Sequence, residues 1–126
     1  MADLLPDLTE QLGIAYFLND DFQAAFNVCE SIGKLQFDGS RLKQMLTNKQ
    51  EKIQELIRQL HEKELDNDQC KELETYFYNM EWYRTDRQKD DFTRLRFCQA
   101  RLYAVDGYYS SSFNRLWNAL EFAGTA

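Results

Sequence analysis

The feature of this sequence that most constrains its fold is the spacing of its apolar residues by three and four positions. The clearest run, apolar except for two lysines, has steps of 4, 3, 4, 3, 4 and 3 residues: Leu42, Leu46, Lys49, Ile53, Leu56, Leu60 and Lys63. Residues at this spacing share one face of an α-helix. The spacing recurs along the chain, which contains one proline and five glycines. The sequence therefore predicts an all-α fold without a sheet.

The breaks between the periodic segments predict about six antiparallel helices in three hairpins. We expect these helices over residues 7–18, 21–32, 40–64, 67–84, 86–105 and 109–122. Gly33 is the expected stop of the second helix. Asp66 or Asn67 is the expected N-cap of the fourth helix, and Asp86 that of the fifth. A length of 126 residues predicts a single helical domain over 1–126.

Two stretches, residues 8–33 and 97–122, share an order of residues. In the first, the small residues Gly13 and Ala25 would let two helices approach closely. The second repeats the order loosely at an offset of 87: Tyr103, Gly107, Tyr109, Ser112, Leu116, Ala119 and Leu120 stand where the first has Tyr16, Asp20, Phe22, Ala25, Cys29, Ile32 and Gly33.

Both stretches resemble the tetratricopeptide repeat, a helical hairpin with Leu-Gly, Tyr, Gly, Tyr and Ala at fixed offsets. The sequence departs from that pattern at Asp20, where the family usually has Gly, and at Ala100, where it has the Gly of Leu-Gly. The offset of 87 is not a multiple of the family's period of about 34 residues, and the middle third of the chain is left unmatched. We therefore expect either tetratricopeptide-like hairpins around a divergent middle or an irregular helical bundle.

Composition excludes several classes of partner. The net charge of −6 and the pI near 4.8 argue against a nucleic-acid groove. No apolar run approaches the ~20 residues of a membrane span, and no basic region precedes an apolar core at the N-terminus. Cys29, Cys70 and Cys98 stand on separate apolar stripes, which predicts three free thiols in a reducing compartment. A cytoplasmic protein is expected, with neither nucleic acid nor membrane as a partner.

The sequence gives little support for catalysis. The one histidine, His61, is placed on the charged face of a helix, whereas a general base needs a cleft and an orienting partner. Asp20-Asp21 and Asp90-Asp91 are interpreted as acids at helix starts rather than as metal ligands. No glycine-rich phosphate loop is present. We therefore expect no enzyme, no catalytic residue, no cofactor and no metal.

The apolar excess of the first helix indicates a protein-binding surface. The resemblance implies a groove lined by six side chains: Ile14, Phe17, Leu18, Phe97, Arg101 and Val105. Such a groove would bind a peptide or helix of another protein, as in a small acidic adaptor or chaperone. Tetratricopeptide-type secretion chaperones of bacteria are similar in size and acidity. Three alternatives stay open: the middle hairpin covers the first helix, the chain self-assembles as a homo-oligomer, or the bundle binds a small ligand or acts as an enzyme.

Overall fold

The structure is a computed structural model that describes residues 4–34 and 40–124. The described residues form six α-helices and no strand, which confirms the predicted all-α class. The helices are α1 (Leu4–Leu18), α2 (Phe22–Lys34), α3 (Ser40–Glu62), α4 (Asn67–Asn79), α5 (Asp86–Val105) and α6 (Tyr109–Phe122). No helix among these residues is long and apolar enough to cross a bilayer.

Several predicted helix ends are wrong, and local hydrogen bonds explain the largest error. The helix α2 continues through Gly33, so this glycine is not its stop. The helix α4 ends at Asn79 instead of near Arg84 because Glu81 adopts a left-handed conformation with φ of 51°. The Trp82 N–H then donates to the Phe77 carbonyl at 2.8 Å, which closes the helix in a Schellman motif.

Capping boxes define where α4 and α5 begin. The Asp66 side chain accepts from the Gln69 N–H at 2.8 Å, while the Gln69 side chain accepts from the Asp66 N–H at 3.0 Å. Asp66, one of the two predicted candidates, is therefore the N-cap of α4. The N-cap of α5 is Thr85 rather than Asp86, since the Thr85 hydroxyl accepts from the Gln88 N–H at 3.1 Å. The sequence pattern of Thr85 with Gln88 three residues later is the signature of such a box.

The turns after α1 and α5 have the same backbone geometry. Asp20 and Gly107 are both left-handed, with φ of 62° and 83°. In each turn the next N–H donates to the carbonyl five residues back, Asp21 to Tyr16 at 2.9 Å and Tyr108 to Tyr103 at 2.8 Å. Aspartate tolerates this conformation better than most residues, which accounts for Asp20 at a position where glycine is expected.

The chain forms two compact units, Met1–Lys52 and Ile53–Ala126. That the two units constitute a single domain stays a prediction. In the first unit, α1 packs on α2 around a core of Ile14, Ala25, Ile32, Leu42 and Leu46. Gly13 is buried in this unit, and a Cβ at this position would meet the Val28 side chain at 2.9 Å and also the Leu42 side chain. The close approach that the sequence indicated at Gly13 is present.

In the second unit, α5 packs on both α4 and α6 around an aromatic core. The Phe77 ring stacks on Trp82 at 5.4 Å, and the Phe92 ring stacks on Phe122 at 4.4 Å. The fully buried Arg96 lies over the Phe92 ring and bonds to the Glu74 carboxylate at 2.5 Å. A buried guanidinium is tolerated because it is paired with a carboxylate.

Candidate partner-binding surface

The three predicted site residues of α1 differ in accessibility. Ile14 is only 6 % exposed and belongs to the core with Leu42 and Leu46 of α3, so it cannot contact a partner in this structure. Phe17 is half-buried against the same core, with its edge on the Phe22 ring at 5.4 Å. Leu18 is 73 % exposed. Ile14 is thus covered by core residues of α2 and α3, whereas the alternative that the middle hairpin covers the first helix stays a prediction.

Leu12 is also misplaced by the sequence interpretation. The family pattern puts Leu12 and Tyr16 inside the hairpin, but Leu12 is exposed and Tyr16 is half-buried. The buried face of α1 instead follows Gly13 and Ile14. Gly13 is the residue at which the backbone of α1 comes close to the side chains of Val28 and Leu42.

The predicted residues Phe97 and Arg101 line a cavity of about 630 Å³ in the second unit. Its walls come from the C-terminal end of α3, from α5 and from α6, and they include Leu60, His61, Lys63, Arg94, Ala104 and Leu116. Val105 is highly exposed, one residue beyond Ala104 of this wall. The structure therefore places Phe97 and Arg101 at one concave surface, with Val105 close by in sequence.

At this cavity three basic side chains stand beside two acidic ones, although the protein as a whole is acidic. Lys63, Arg94 and Arg101 line it together with two glutamates, Glu62 and Glu64. Arg101 Nε lies 3.2 Å from a Glu64 carboxylate oxygen, and Arg94 Nε lies 3.1 Å from Asp90. Both arginines are well exposed at these ion pairs, so a ligand carboxylate could compete for them at low cost.

His61, at the same cavity, has a partner that the sequence did not reveal. Its Nε2 lies 2.8 Å from Asp91 Oδ1, and Trp82 Nε1 donates to Asp91 Oδ2 at 3.1 Å. Asp91 is only 3 % exposed, so both bonds compensate a buried carboxylate. Asp91 is the sixth residue of α5, and its interpretation as an acid at the helix start is wrong.

The same residues could offer ligands to a cation. One atom each from His61, Asp90 and Asp91 lies within 4.8 Å of the others. Imidazole with two carboxylates is a donor set that suits divalent metals such as zinc. In this structure Asp90 instead pairs with Arg94, and Asp91 accepts from Trp82 and His61. The arrangement has a complete structural explanation without a metal.

Among the described residues, a group of exposed apolar side chains lies on α6, and the sequence analysis did not identify it as a surface. Four side chains, each between 40 and 73 % exposed, form a stripe at helical spacing: Tyr109, Phe113, Leu116 and Trp117. We call these residues the α6 stripe. Leu116 also lines the cavity, so the stripe and the cavity adjoin.

The opposite face of α6 packs on α5 through smaller or polar residues. The Ser112 hydroxyl donates to the Ala100 carbonyl at 2.7 Å, Arg115 lies over the Tyr103 ring, and Ala119 is fully buried. At the end of the helix, Phe122 stacks on Phe92. The alignment of Ser112 with the buried Ala25 was the signal that could have identified this inner face.

Comparison with protein-family models, curated proteins and solved structures gives no match to this chain.

Proposed function

We propose that this protein is a non-enzymatic protein–protein interaction module that binds a helix of another protein on the α6 stripe and in the adjoining cavity. The observation that supports this most is the exposure of three aromatic rings in one stripe. At ~150–250 Å² per aromatic side chain, the stripe presents on the order of 400 Å² of exposed surface. Exposed apolar patches of this size on soluble proteins commonly mark interaction sites.

The shape and charge of the surface favour an amphipathic helix that carries acidic residues. From Tyr109 to Trp117 the stripe runs ~12 Å at 1.5 Å per residue, which matches about two turns of a partner helix. Lys63, Arg94 and Arg101 beside it would attract acidic side chains on that helix. A second copy of this chain would bring the same basic side chains to the interface, so it is electrostatically a poorer partner.

Three of the six predicted groove residues are retained in this proposal: Phe97, Arg101 and Val105 are exposed in the second unit. The other three belong to the first unit, where Ile14 is buried, Phe17 packs on the core and Leu18 is exposed. The role of a small acidic cytoplasmic adaptor or chaperone with tetratricopeptide-like hairpins remains part of the proposal.

Site-specific photocrosslinking tests the proposal. A photoreactive phenylalanine analogue replaces Trp117 in one variant and Tyr83, an exposed aromatic residue outside the stripe, in a control variant. We expect an adduct from position 117 alone, mapped to one amphipathic segment of one partner. The purified segment should then bind the wild-type protein and should lose at least about tenfold in affinity to Phe113→Ala, as hot-spot residues do. Equal labelling at both positions, or unchanged affinity in Phe113→Ala, contradicts the proposal.

Self-assembly is the second candidate, because the same stripe could pair two copies. A Trp117 crosslink to a second copy of the chain would favour it over the proposal. Sedimentation equilibrium then provides the quantitative test: a dimer that Phe113→Asp dissociates supports self-assembly, and a monomer at all concentrations excludes it.

Catalysis is less favoured, although His61 has an orienting carboxylate and lies at a cavity. A nucleophile within reach of the imidazole is also required. Two nucleophiles line this cavity, Cys98 and Ser112, but the Cys98 thiol donates to the Leu65 carbonyl and the Ser112 hydroxyl to the Ala100 carbonyl. Each is therefore bonded to a backbone carbonyl rather than to the imidazole. The interpretation of His61 as a surface residue stays a prediction.

A further inference from the structure

Two of the three cysteines meet in the interior of the second unit. Cys70, near the start of α4, and Cys98, in the middle of α5, are both fully buried, and their sulfur atoms lie 3.7 Å apart. Both are free thiols. The two cysteines do lie on separate helices, as predicted, but α4 packs on α5, and this contact brings their side chains together. Cys29, in the first unit, is half-buried.

Hydrogen bonds give the two thiols different chemical character. The Cys70 thiol donates to Cys98, and the Cys98 thiol donates to the Leu65 carbonyl at 3.7 Å. The bond from Cys70 stabilises a thiolate on Cys98 and lowers the pKa of Cys98 to about 7. The same bond, together with burial, raises the pKa of Cys70. Cys98 is therefore the stronger nucleophile at neutral pH, and Cys70 keeps its proton.

Small reagents can approach the pair from two sides. Cys98 lines the cavity of about 630 Å³ that also contains Phe97 and Arg101. Cys70 lines a second cavity of about 410 Å³, which includes Lys71, Glu74 and Tyr103. Buried cysteines are usually inert because no reagent reaches them. Here each cysteine borders a cavity, so only a small local movement of the wall separates a molecule the size of hydrogen peroxide from the pair.

We propose that Cys70 and Cys98 form a reversible dithiol–disulfide modification site that hydrogen peroxide oxidises and small thiols reduce. The site goes beyond the proposed function, and it does not depend on what the α6 stripe binds.

The reaction balances with peroxide as the only oxidant. The Cys98 thiolate attacks one peroxide oxygen, so an S–O bond forms, the O–O bond breaks and the released hydroxide takes up a proton to become water. Cys98 is then a sulfenic acid. The Cys70 sulfur attacks the Cys98 sulfur, the S–S bond forms, and the S–O bond breaks as the oxygen leaves as a second water with the Cys70 proton. Two thiols are oxidised and one peroxide is reduced to two waters.

The disulfide would change contacts in the second unit. It would join α4 covalently to α5, whereas the reduced protein holds these positions by packing and a weak thiol hydrogen bond. It would also remove the thiol proton that Cys98 donates to Leu65. Oxidation therefore acts directly on the wall of the cavity that Cys98 shares with Phe97.

Intact-mass analysis of the full-length folded protein treated with hydrogen peroxide tests the site. We expect a loss of about 2 Da, a Cys70–Cys98 peptide after digestion without reduction, and full recovery with dithiothreitol. Cys29→Ser is the matched control and should give the same product. In Cys70→Ser, dimedone should trap a sulfenic acid on Cys98, because the resolving thiol is missing.

If a serine variant does not fold, the wild-type protein alone is sufficient to test the proposed disulfide. Three titratable thiols after peroxide treatment overturn the proposal. A product linked through Cys29, a disulfide between two chains, or sulfinic acid without the intramolecular bond overturns it equally. A Cys70–Cys98 bond that forms only in denaturant also contradicts it, since the native geometry would then play no part.

Discussion

Gly13 and Gly33 lie on neighbouring helices but in opposite surroundings. A Cβ at Gly13 would collide with Val28 and Leu42, whereas nothing lies within 4 Å of a Cβ at Gly33. We expect Gly13→Leu to destabilise the protein by about 1–3 kcal/mol through overpacking. Gly33→Ala should leave stability unchanged or raise it by about 0.5–1 kcal/mol, because alanine favours the helix. Urea unfolding followed by circular dichroism measures both, and equal effects would contradict the close approach at Gly13.

Asp91 requires both of its hydrogen-bond donors because it is buried. Trp82→Phe keeps a ring that can stack on Phe77 but removes the N–H that donates to Asp91. We expect a loss of about 1–3 kcal/mol, the usual cost of leaving a buried acceptor short of a partner. Trp117→Phe, on the exposed stripe, is the matched control and should change stability little. Thermal unfolding of both variants by circular dichroism tests the difference.

The Cys70–Cys98 pair predicts a pH dependence for the second unit. The pKa of Cys98 is about 7 in the folded protein and ordinarily 9.0. Between these values the folded chain binds fewer protons than the unfolded chain, so the free energy of unfolding should rise with pH and the gain should be lost as pH falls through 7. The raised pKa of Cys70 opposes this rise in the free energy of unfolding only at pH values above 9.0, the ordinary pKa of a cysteine. Urea midpoints by tryptophan fluorescence should show the rise in Cys29→Ala, whereas a rise that persists in Cys98→Ala would assign it to other groups.

For the helix α6, the sequence could predict some features and not others. Its limits at Tyr109 and Phe122 were predicted correctly, because Asp106-Gly107 signals the turn and the spacing inside is helical. The face of α6 that packs on the protein could not be predicted, because the aromatic stripe has more apolar surface than the inner face of Ser112 and Ala119. Small residues allow α6 to lie close to α5, and this tertiary contact decides which face is buried. The same limit applies to His61, whose partner Asp91 is 30 residues away.

This orientation predicts opposite effects for two phenylalanines of α6. Phe122 stacks on Phe92 in the aromatic core, so Phe122→Ala should destabilise the protein by about 2 kcal/mol or more. Phe113 is exposed, so Phe113→Ala should change the free energy of unfolding by less than about 0.5 kcal/mol. Chemical denaturation of the two variants tests the assignment. A larger loss in Phe113→Ala would mean that the stripe is part of the core.

The unfolding of the whole molecule depends on α3, which belongs to both compact units. Residues 40–52 of this helix lie in the first unit, and residues 53–62 lie in the second. By itself, either part of α3 would have at best marginal helical stability, since isolated helices shorter than ~12–15 residues are unstable in water. If one unit unfolds, the other therefore loses part of the support for its own half of α3. We expect the chain to unfold as one cooperative domain, in agreement with the length-based prediction.

The positions of the two tryptophans make this cooperativity measurable. Trp82 and Trp117 both lie in the second unit, so their fluorescence reports that unit, while far-UV circular dichroism reports helices in both. For a two-state chain the two urea transitions should coincide. Gly13→Leu, a change confined to the first unit, should then lower both midpoints together, because loss of the first unit withdraws residues 40–52 of the shared helix. Separate transitions, with the fluorescence midpoint of Gly13→Leu unchanged, would show that the continuity of α3 does not couple the units.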